Sequence, residues 1–402
     1  MSPARDREFQ KLWAGQTISE IGSRISREGL PLTAVMILGA TPAQMGILAA
    51  TGGASALVFS LAAGVFVDRV RRRPVMIWAD VARCLVLATV PLAAALHRLS
   101  FLQVLIVAAV TGLLTVLFDV AYQSYLPSLI PSQALLQGNR LLGMSAASAE
   151  ILGPAMTGVL IKALTAPRAI LLDALSFLAS TISVAAIQRP ENERPPSVQT
   201  HWREEALAGA KVIWAHPLLR ALALRSITAF LFMGFLFCLY LLYAIRDLGM
   251  STPALGLTVA LGGVGSLCGA YLSERVSTRF GTGRAFFGSA VVVGLTSFLI
   301  PLAALKPSRA ILFMGAAQLI GDGAWSIYVV NETALRQRLI GEELLGRVNA
   351  AMQIASRGML PIGALAGGYV ATFIGTDAAL FIASAGVFAS CFFLLPIRGH
   401  VR

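Results

Sequence analysis

Twelve apolar segments, each long enough to cross a bilayer, follow one another along this 402-residue chain with very short connections. They run over 11–38, 42–68, 74–96, 100–130, 134–163, 168–188, 217–245, 253–274, 284–305, 309–339, 343–374 and 377–397. About 20 apolar residues carry a helix across the hydrocarbon layer, so the pattern predicts an all-α membrane protein with twelve transmembrane helices. The short alternating segments of a membrane barrel are absent from the sequence. Composition points the same way: 13% of residues are charged and 56% are apolar. A soluble domain is roughly a quarter charged, so this chain has too few charges to cover a water-exposed globule. Soluble enzymes are excluded on that ground.

One long polar stretch, 189–216, separates segments six and seven. It opens as a flexible linker, ArgProGluAsnGluArgProPro, and continues from His201 to His216 as an amphipathic helix with Trp202, Ala206, Gly209 and Ile213 on one face. Such a helix is expected to lie in the membrane interface. The chain therefore divides into a first bundle (1–188), a linker (189–216) and a second bundle (217–402). The halves repeat at an offset of 210 residues: Gly46, Gly52 and Gly53 map onto Gly256, Gly262 and Gly263, and Asn139, Gly153 and Gly158 onto Asn349, Gly363 and Gly368. Parallel repeats of this kind mark transporters whose two bundles rock about a shared site.

The basic excess, net +12, would suggest nucleic acid in a soluble chain. Here it sorts by side of the membrane. With the N-terminus inside, 21 of the 32 Lys and Arg fall on the inner side and 6 on the outer, as the positive-inside rule requires. Arg24, Arg27, Arg83, Arg225 and Arg357 fall within spans. Both termini are thus expected in the cytoplasm and no nucleic-acid partner is expected. Cys84, Cys238, Cys268 and Cys391 lie in apolar runs without metal-ligand or disulfide spacing and read as small packed hydrophobes. No cleavable signal peptide is expected at the start. There is no phosphate-binding GxxxxGK[ST] loop, no nucleophile elbow and no HExxH, so neither a resident cofactor, a metal nor an enzymatic activity is expected.

Between segments two and three the chain reads Gly64-Val-Phe-Val-Asp68-Arg69-Val-Arg71-Arg72-Arg73. This resembles the loop motif of the major facilitator superfamily, with Arg71 in place of the second glycine. In the second half Ser273 stands where the aspartate would be. Segment five holds Leu152-Gly153-Pro154-Ala-Met-Thr-Gly158, similar to the Gly-Pro motif of drug:proton antiporters, and residues 12–19 and 216–220 resemble the branch that includes macrolide and enterobactin exporters. The resemblance implies two pseudo-symmetric six-helix bundles working by alternating access, with segments 1, 4, 7 and 10 lining a central cavity. It gives Gly64, Asp68, Arg69, Arg72 and Arg73 the part of a conformational latch, with Asp80 and Arg83 as its expected partners at the cytoplasmic end. Gly153, Pro154 and Gly158, with Gly363 and Gly368 in the second half, are expected to permit close helix packing.

An ionised side chain mid-membrane costs about 2.5–3.5 kcal/mol on insertion scales, so each asks for a partner or a wet cavity. Six acids are embedded: Glu20, Glu28, Asp119, Glu150, Asp322 and Glu332. At about 100° per residue, Glu20, Arg24, Arg27 and Glu28 share one arc of the first helix. Glu20–Arg24 and Arg24–Glu28 are i,i+4 neighbours that can pair, either as a ladder that fixes packing or as a cavity wall that binds polar groups. Asp119 has no sequence-local base and is the first choice as proton carrier. Glu150 and Glu332, four residues before Arg336, are its rivals. Asp322 beside two glycines is a cavity group or a helix-bend partner, and Arg357 is expected to meet an acid from another helix or an anionic substrate. Tyr122, with other aromatics nearby, suits an amphiphilic substrate. The reading is a monomeric secondary transporter of a bacterial cytoplasmic membrane, exporting small amphiphilic molecules such as drugs or siderophores in exchange for protons. A proton-linked importer, a carrier of lipid-like cargo and a non-transporting sensor are the alternatives.

Overall fold

The computed structural model describes residues 3–67, 69–191 and 202–397. Among them every regular element is helical. The first six helices are α1 (Arg7–Met36), α2 (Pro42–Val67), α3 (Arg72–Ala95), α4 (Phe101–Leu129), α5 (Leu135–Leu164) and α6 (Ala166–Ala185). After the linker come α7 (Trp202–Ala215), α8 (Pro217–Leu242), α9 (Thr252–Phe280), α10 (Thr282–Ser297), the short α11 (Leu299–Leu302), α12 (Ala310–Leu339), α13 (Glu342–Arg357), α14 (Met359–Ile374) and α15 (Thr376–Ala389). Among the described residues nine helical stretches are long and apolar enough to cross a membrane by length and composition alone. With α1, which carries four charges in mid-helix, with α2, and with the pair α13–α14, the count reaches the twelve spans expected. Local signals set the ends. The Asp6 carboxylate caps α1 by accepting from the Glu8 and Phe9 amides at 2.9 and 3.4 Å, and Ser100 caps α4 through the Gln103 amide, which satisfies amides that a helix start leaves unpaired.

Two of the expected spans carry a joint ahead of a proline at which the helical backbone continues. In the ninth, Phe298 joins α10 to α11 at φ/ψ −67°/−21°, with Pro301, which has no N–H to donate, just beyond. In the eleventh, Gly358 joins α13 to α14 at −63°/−24°, three residues ahead of Pro361.

The chain forms two compact units, one of residues 1–40 and 54–198, the other of 41–53 and 199–402. In the first, α1 packs chiefly on α6 and α5, and α3 on α6 and α4. In the second, α8 packs on α14 and α15, and α10 on α12 and α15. At an offset of 210 residues these are the same pairings. The backbone repeats too: Gly39 and Gly249, each closing the first helix of its half, have φ of +62° and +63°. Thr165 and Gly375, each joining the last two spans of its half, have φ/ψ of 80°/154° and 89°/159°. That conformation is nearly reserved for glycine and costs a residue with Cβ about 1–3 kcal/mol. Thr165→Gly is therefore expected to raise the stability of the chain by an amount in that range and Gly375→Thr to lower it, read as opposite shifts of the melting midpoint in detergent.

The amphipathic helix α7 does not simply lie in an interface. Gly209 rests against the α13 backbone, where a Cβ would stand 2.7 Å from the Arg347 carbonyl carbon, and Ile213 is buried in an apolar cluster with Leu222, Val348 and Leu394. The face predicted at Gly209 and Ile213 is the buried one, but protein covers it. Of the cysteines, Cys238 and Cys391 are buried as expected, Cys84 is half-buried, and Cys268 is exposed on α9, which corrects the reading of all four as packed.

Candidate functional site

In the first unit α1, α3, α4, α5 and α6 carry an unusual load of charge for apolar helices. Asp80 and Arg83 lie one turn apart on α3, both almost wholly buried, and form an ion pair between Asp80 Oδ1 and Arg83 Nη2. The Arg83 guanidinium sits between two aromatic faces, 4.5 Å from the Phe118 ring centre on α4 and 4.1 Å from that of Phe177 on α6. Its Nη1 reaches the Thr115 hydroxyl at 3.4 Å. A planar, weakly hydrated guanidinium suits such a slot. The pair therefore serves the interior of the bundle, eight residues and more into α3, and among the described residues it makes no hydrogen bond or ion pair to the 64–73 loop, its expected partner.

Residue 119 follows Phe118 on α4, so it faces a different direction from the ring that covers Arg83. Asp119 is exposed on the surface of the unit and makes no ion pair or hydrogen bond to any described residue. The charged groups that act on it are Arg83, Glu20 and Asp80. Tyr122, one turn on and half-buried, stacks on Phe118 with ring centres 6.2 Å apart.

Segment one departs from the expected ladder. Arg24 pairs with Glu150 of α5, and neither Glu20 nor Glu28 lies within ion-pair distance of it. The reason is Gly153, one turn beyond Glu150. A Cβ there would stand 2.6 Å from both Cβ and Cγ of Arg24, so the glycine makes room for the arginine stem and Glu150 holds its head. The Gly-Pro motif seats a charged side chain as well as a neighbouring helix. Pro154 and Gly158 are buried beside it. Arg27 is exposed, and Glu20 and Glu28 are half-buried.

Sequence reasoning missed Asp173. It is 1% exposed on α6, accepts from the Ser176 hydroxyl at 3.0 Å, and leaves Oδ2 without a hydrogen bond. It meets α1 at Gly22, where a Cβ would stand 2.7 Å from Asp173 Oδ1. The signal was an acid inside the apolar run IleLeuLeuAsp, the same criterion that picked out Asp119. Seven or more residues from either end, these helices hold six carboxylates, at 20, 28, 80, 119, 150 and 173, and three arginines, at 24, 27 and 83. Two arginines are committed to Glu150 and Asp80.

The loop motif makes its described contacts inside the first unit. Glu191 accepts from the Arg72 amide at 2.9 Å, from the Arg73 amide at 3.4 Å and from the Arg72 guanidinium at 3.1 Å, a carboxylate capping the start of α3. Arg73 donates to the Val184 and Ala185 carbonyls at the end of α6. Arg189 donates to the Leu129 carbonyl at the end of α4 and to Asp6 at 3.0 Å. Burial alone would raise the Asp6 carboxyl; the hydrogen bonds from Arg189 and from the Glu8 and Phe9 amides outweigh it and hold the group below its ordinary value. These basic residues fasten helix ends and the start of the linker. Arg69 is exposed, no described neighbour lies within 4 Å of a Cβ built at Gly64, and Asp68 lies outside the described residues.

In the second unit Glu332 contacts Arg336 as the spacing predicted, Oε1 to Nε at 3.3 Å. Asp322 lies over Gly262 of α9, where a Cβ would collide with its carboxylate. Further along the same seam Gly265 and Gly269 press against the backbones of Leu319 and Gly323. Gly363 meets the Leu231 backbone of α8, and Gly368 meets Gly46 and the Pro42 carbonyl, so both serve close packing as expected. Arg357 is exposed at the α13–α14 joint and meets no acid among the described residues, so of its two expected partners the acid from another helix is not seen there. The second residue missed is Arg225 of α8, 0% exposed, with its guanidinium carbon 3.7 Å from the Tyr328 ring centre and 5.4 Å from that of Trp325. Among the described residues no group of three His, Cys, Asp or Glu is placed to hold a metal ion.

Comparison with known proteins puts these features in context. The family described as Major Facilitator Superfamily matches residues 12–361. YfiS of Bacillus subtilis (strain 168), an uncharacterized MFS-type transporter, is 24% identical over 377 residues, covering 92% of this chain and 88% of the relative. The multidrug efflux pump Tap of Mycolicibacterium fortuitum is 28% identical over 349 residues, 83% of this chain and 81% of Tap. Macrolide efflux protein A of Streptococcus pyogenes is 24% identical over 372 residues, 92% and 91% of the two chains. Among solved structures, a bacterial homologue of the iron transporter ferroportin in its inward-facing state superposes with a TM-score of 0.75 at 16% identity, over 98% of both chains. The nucleoside transporter NupG gives 0.75 at 10% identity, over 97% of this chain and 98% of its own.

Proposed function

The chain belongs to the Major Facilitator Superfamily, a multi-pass membrane transporter and not an enzyme, and from that premise we propose that it exports small amphiphilic molecules in exchange for protons. The observation that carries this reading is the Asp119 carboxylate. It sits on a helix that lines the cavity in this superfamily, exposed and without an ion-pair partner, beside an arginine already committed to Asp80. A carboxylate there is costly while ionised and cheap once protonated, which is what a site that loads and unloads a proton needs. Glu20, half-buried and also unpaired, adds negative potential on the same side. Tyr122 and Phe118 supply an aromatic surface next to the acid. That the relatives include proteins named as multidrug and macrolide efflux proteins supports export as the direction.

The sorting of basic residues supports an N-terminus and a C-terminus in the cytoplasm, in a bacterial cytoplasmic membrane, with the protein acting as a monomer in the bilayer. No cofactor takes part; protons entering down their gradient drive the cycle. The membrane potential contributes about 2.3 kcal/mol per charge per 100 mV, to which the pH difference adds. Proton binding at Asp119 and cargo binding in the cavity exclude one another, so proton entry is coupled to the outward release of cargo.

Proteoliposomes with an imposed pH gradient test this directly, using a macrolide and a cationic dye as probes. Asp119→Asn is expected to abolish gradient-driven accumulation while leaving exchange of labelled for unlabelled probe at equal pH intact. Gradient-driven transport at the wild-type rate in that variant would remove Asp119 from the mechanism. Reversing the gradient separates exchange from cotransport.

A further inference from the structure

Among the described residues of the second unit, Arg225 is the buried charge whose surroundings account for it least. Its Nε, Nη1 and Nη2 are all buried without a hydrogen-bond partner, and so is the Tyr328 hydroxyl that it covers. Stacking on Tyr328 and Trp325 recovers part of what the guanidinium loses on leaving water, but an arginine buried this completely is ordinarily held by a carboxylate as well. Glu332 is the acid at hand. It lies one turn beyond Tyr328 on α12, on the same helix face, and within electrostatic reach of both Arg225 and Arg336. In this structure it is engaged by Arg336, and loosely. The two contacts measure 3.3 and 3.5 Å, long beside the roughly 2.7–2.9 Å of a good charge-assisted hydrogen bond. Arg336 also turns Nη1 toward the Met352 sulfur of α13 at 3.6 Å.

Tyr328, Glu332 and Arg336 therefore form a row at successive turns of α12, with Arg225 of α8 over its first member. We propose that Glu332 has two docking cations and that its carboxylate exchanges between Arg336, which it holds here, and Arg225, the exchange changing how α12 is held against α8 during transport. The groups facing the row are few. Arg225 and Arg336 are the cations, Tyr328 and the buried Cys391 are the other titratable side chains, and Met352 closes the α13 side. The device acts in the second unit whichever ion drives the cycle and in whichever direction cargo moves, so it stands or falls apart from the role given to Asp119.

Trp325 lies against the proposed exchange and reports it. In the full-length protein with Trp13, Trp78, Trp202 and Trp214 changed to Phe, emission comes from Trp325 alone. Arg336→Gln is expected to send Glu332 to Arg225, draw the guanidinium off the rings and shift the Trp325 emission maximum. Glu332→Gln is expected to leave the parent spectrum, and the double variant Arg336→Gln/Glu332→Gln to restore it, which a packing role for Arg336 would not do. An unchanged spectrum in Arg336→Gln, or a shift that survives in the double variant, overturns the proposal. A cycle that leaves Arg336 in place gives a second measure: the losses in melting midpoint for Glu332→Gln and Arg225→Met are expected to be smaller together than their sum, and strict additivity overturns the coupling.

Discussion

Arg83→Leu is expected to destabilise the chain by about 3–5 kcal/mol, among the largest losses that one substitution in the first unit can cause. The magnitude comes from what is left behind. The Asp80 carboxylate is 0% exposed, and removing its guanidinium strands a charge in an apolar interior, the situation in which a broken buried pair costs most. The two aromatic faces that hold the guanidinium, Phe118 and Phe177, would also lose their filling. Asp80→Leu is expected to be as damaging, because it leaves the cation unpaired. The double variant Arg83→Leu/Asp80→Leu is expected to recover most of the loss, since an apolar pair of similar volume needs no desolvation of charge. Melting midpoints of the four proteins in one detergent check this. Additive losses would show that the aromatic slot, and not the ion pair, is what α3 requires.

This pair also shows what the sequence could and could not convey. That Asp80 and Arg83 stand one turn apart is legible, and so is their ability to interact. Which way they point is not, because a helix of mostly apolar residues presents no polar face to define outside. The twelve spans were legible because their length is fixed by the bilayer, a constraint that acts on each segment alone. The duplication was legible through glycines for a related reason: Gly363 and Gly368 are held by backbone approaches that admit no side chain. By contrast, the pairing of Arg24 depends on which helix lies opposite. Periodicity placed it on an arc with Glu20 and Glu28, but the stronger partner came from α5, where Glu150 and Gly153 together form its seat. The amphipathic face of α7 was read correctly and its covering was not, since an apolar stripe fits lipid and protein alike. Asp173 and Arg225 were not legible as site residues because neither has an oppositely charged partner at helical spacing. Buried charge without a local partner is the signal that carries most information about a membrane bundle, and it is visible only as an isolated letter.

The second large effect is expected at Gly363, where the smallest possible change suffices. A Cβ at this position would stand 2.8 Å from the Leu231 carbonyl carbon and closer still to its oxygen. Those are backbone atoms of α8, so no rotamer change relieves the contact and the two helices must move apart. Small residues at such crossings are what allow helices in a membrane to pack, since lipid competes equally for any apolar side chain. Overpacking against a side chain costs about 1–3 kcal/mol, and against a fixed backbone the loss is expected at or above the top of that range. Gly363→Ala should thus lower the melting midpoint sharply and reduce the yield of monodisperse protein, with Gly363→Leu failing to fold. Gly288 on α10 provides the control, because beyond its own stretch of helix no described atom lies within 4 Å of its ideal Cβ. Gly288→Ala removes backbone freedom from the unfolded chain without a collision and is expected to be neutral or to stabilise by about 0.5–1 kcal/mol. Equal effects of the two alanines would mean that α8 and α14 are not held at their closest approach by Gly363. A selective loss would show that α8 and α14 meet at this residue with no room for a side chain, the residue being the repeat partner of the Gly153 that seats Arg24 in the first bundle.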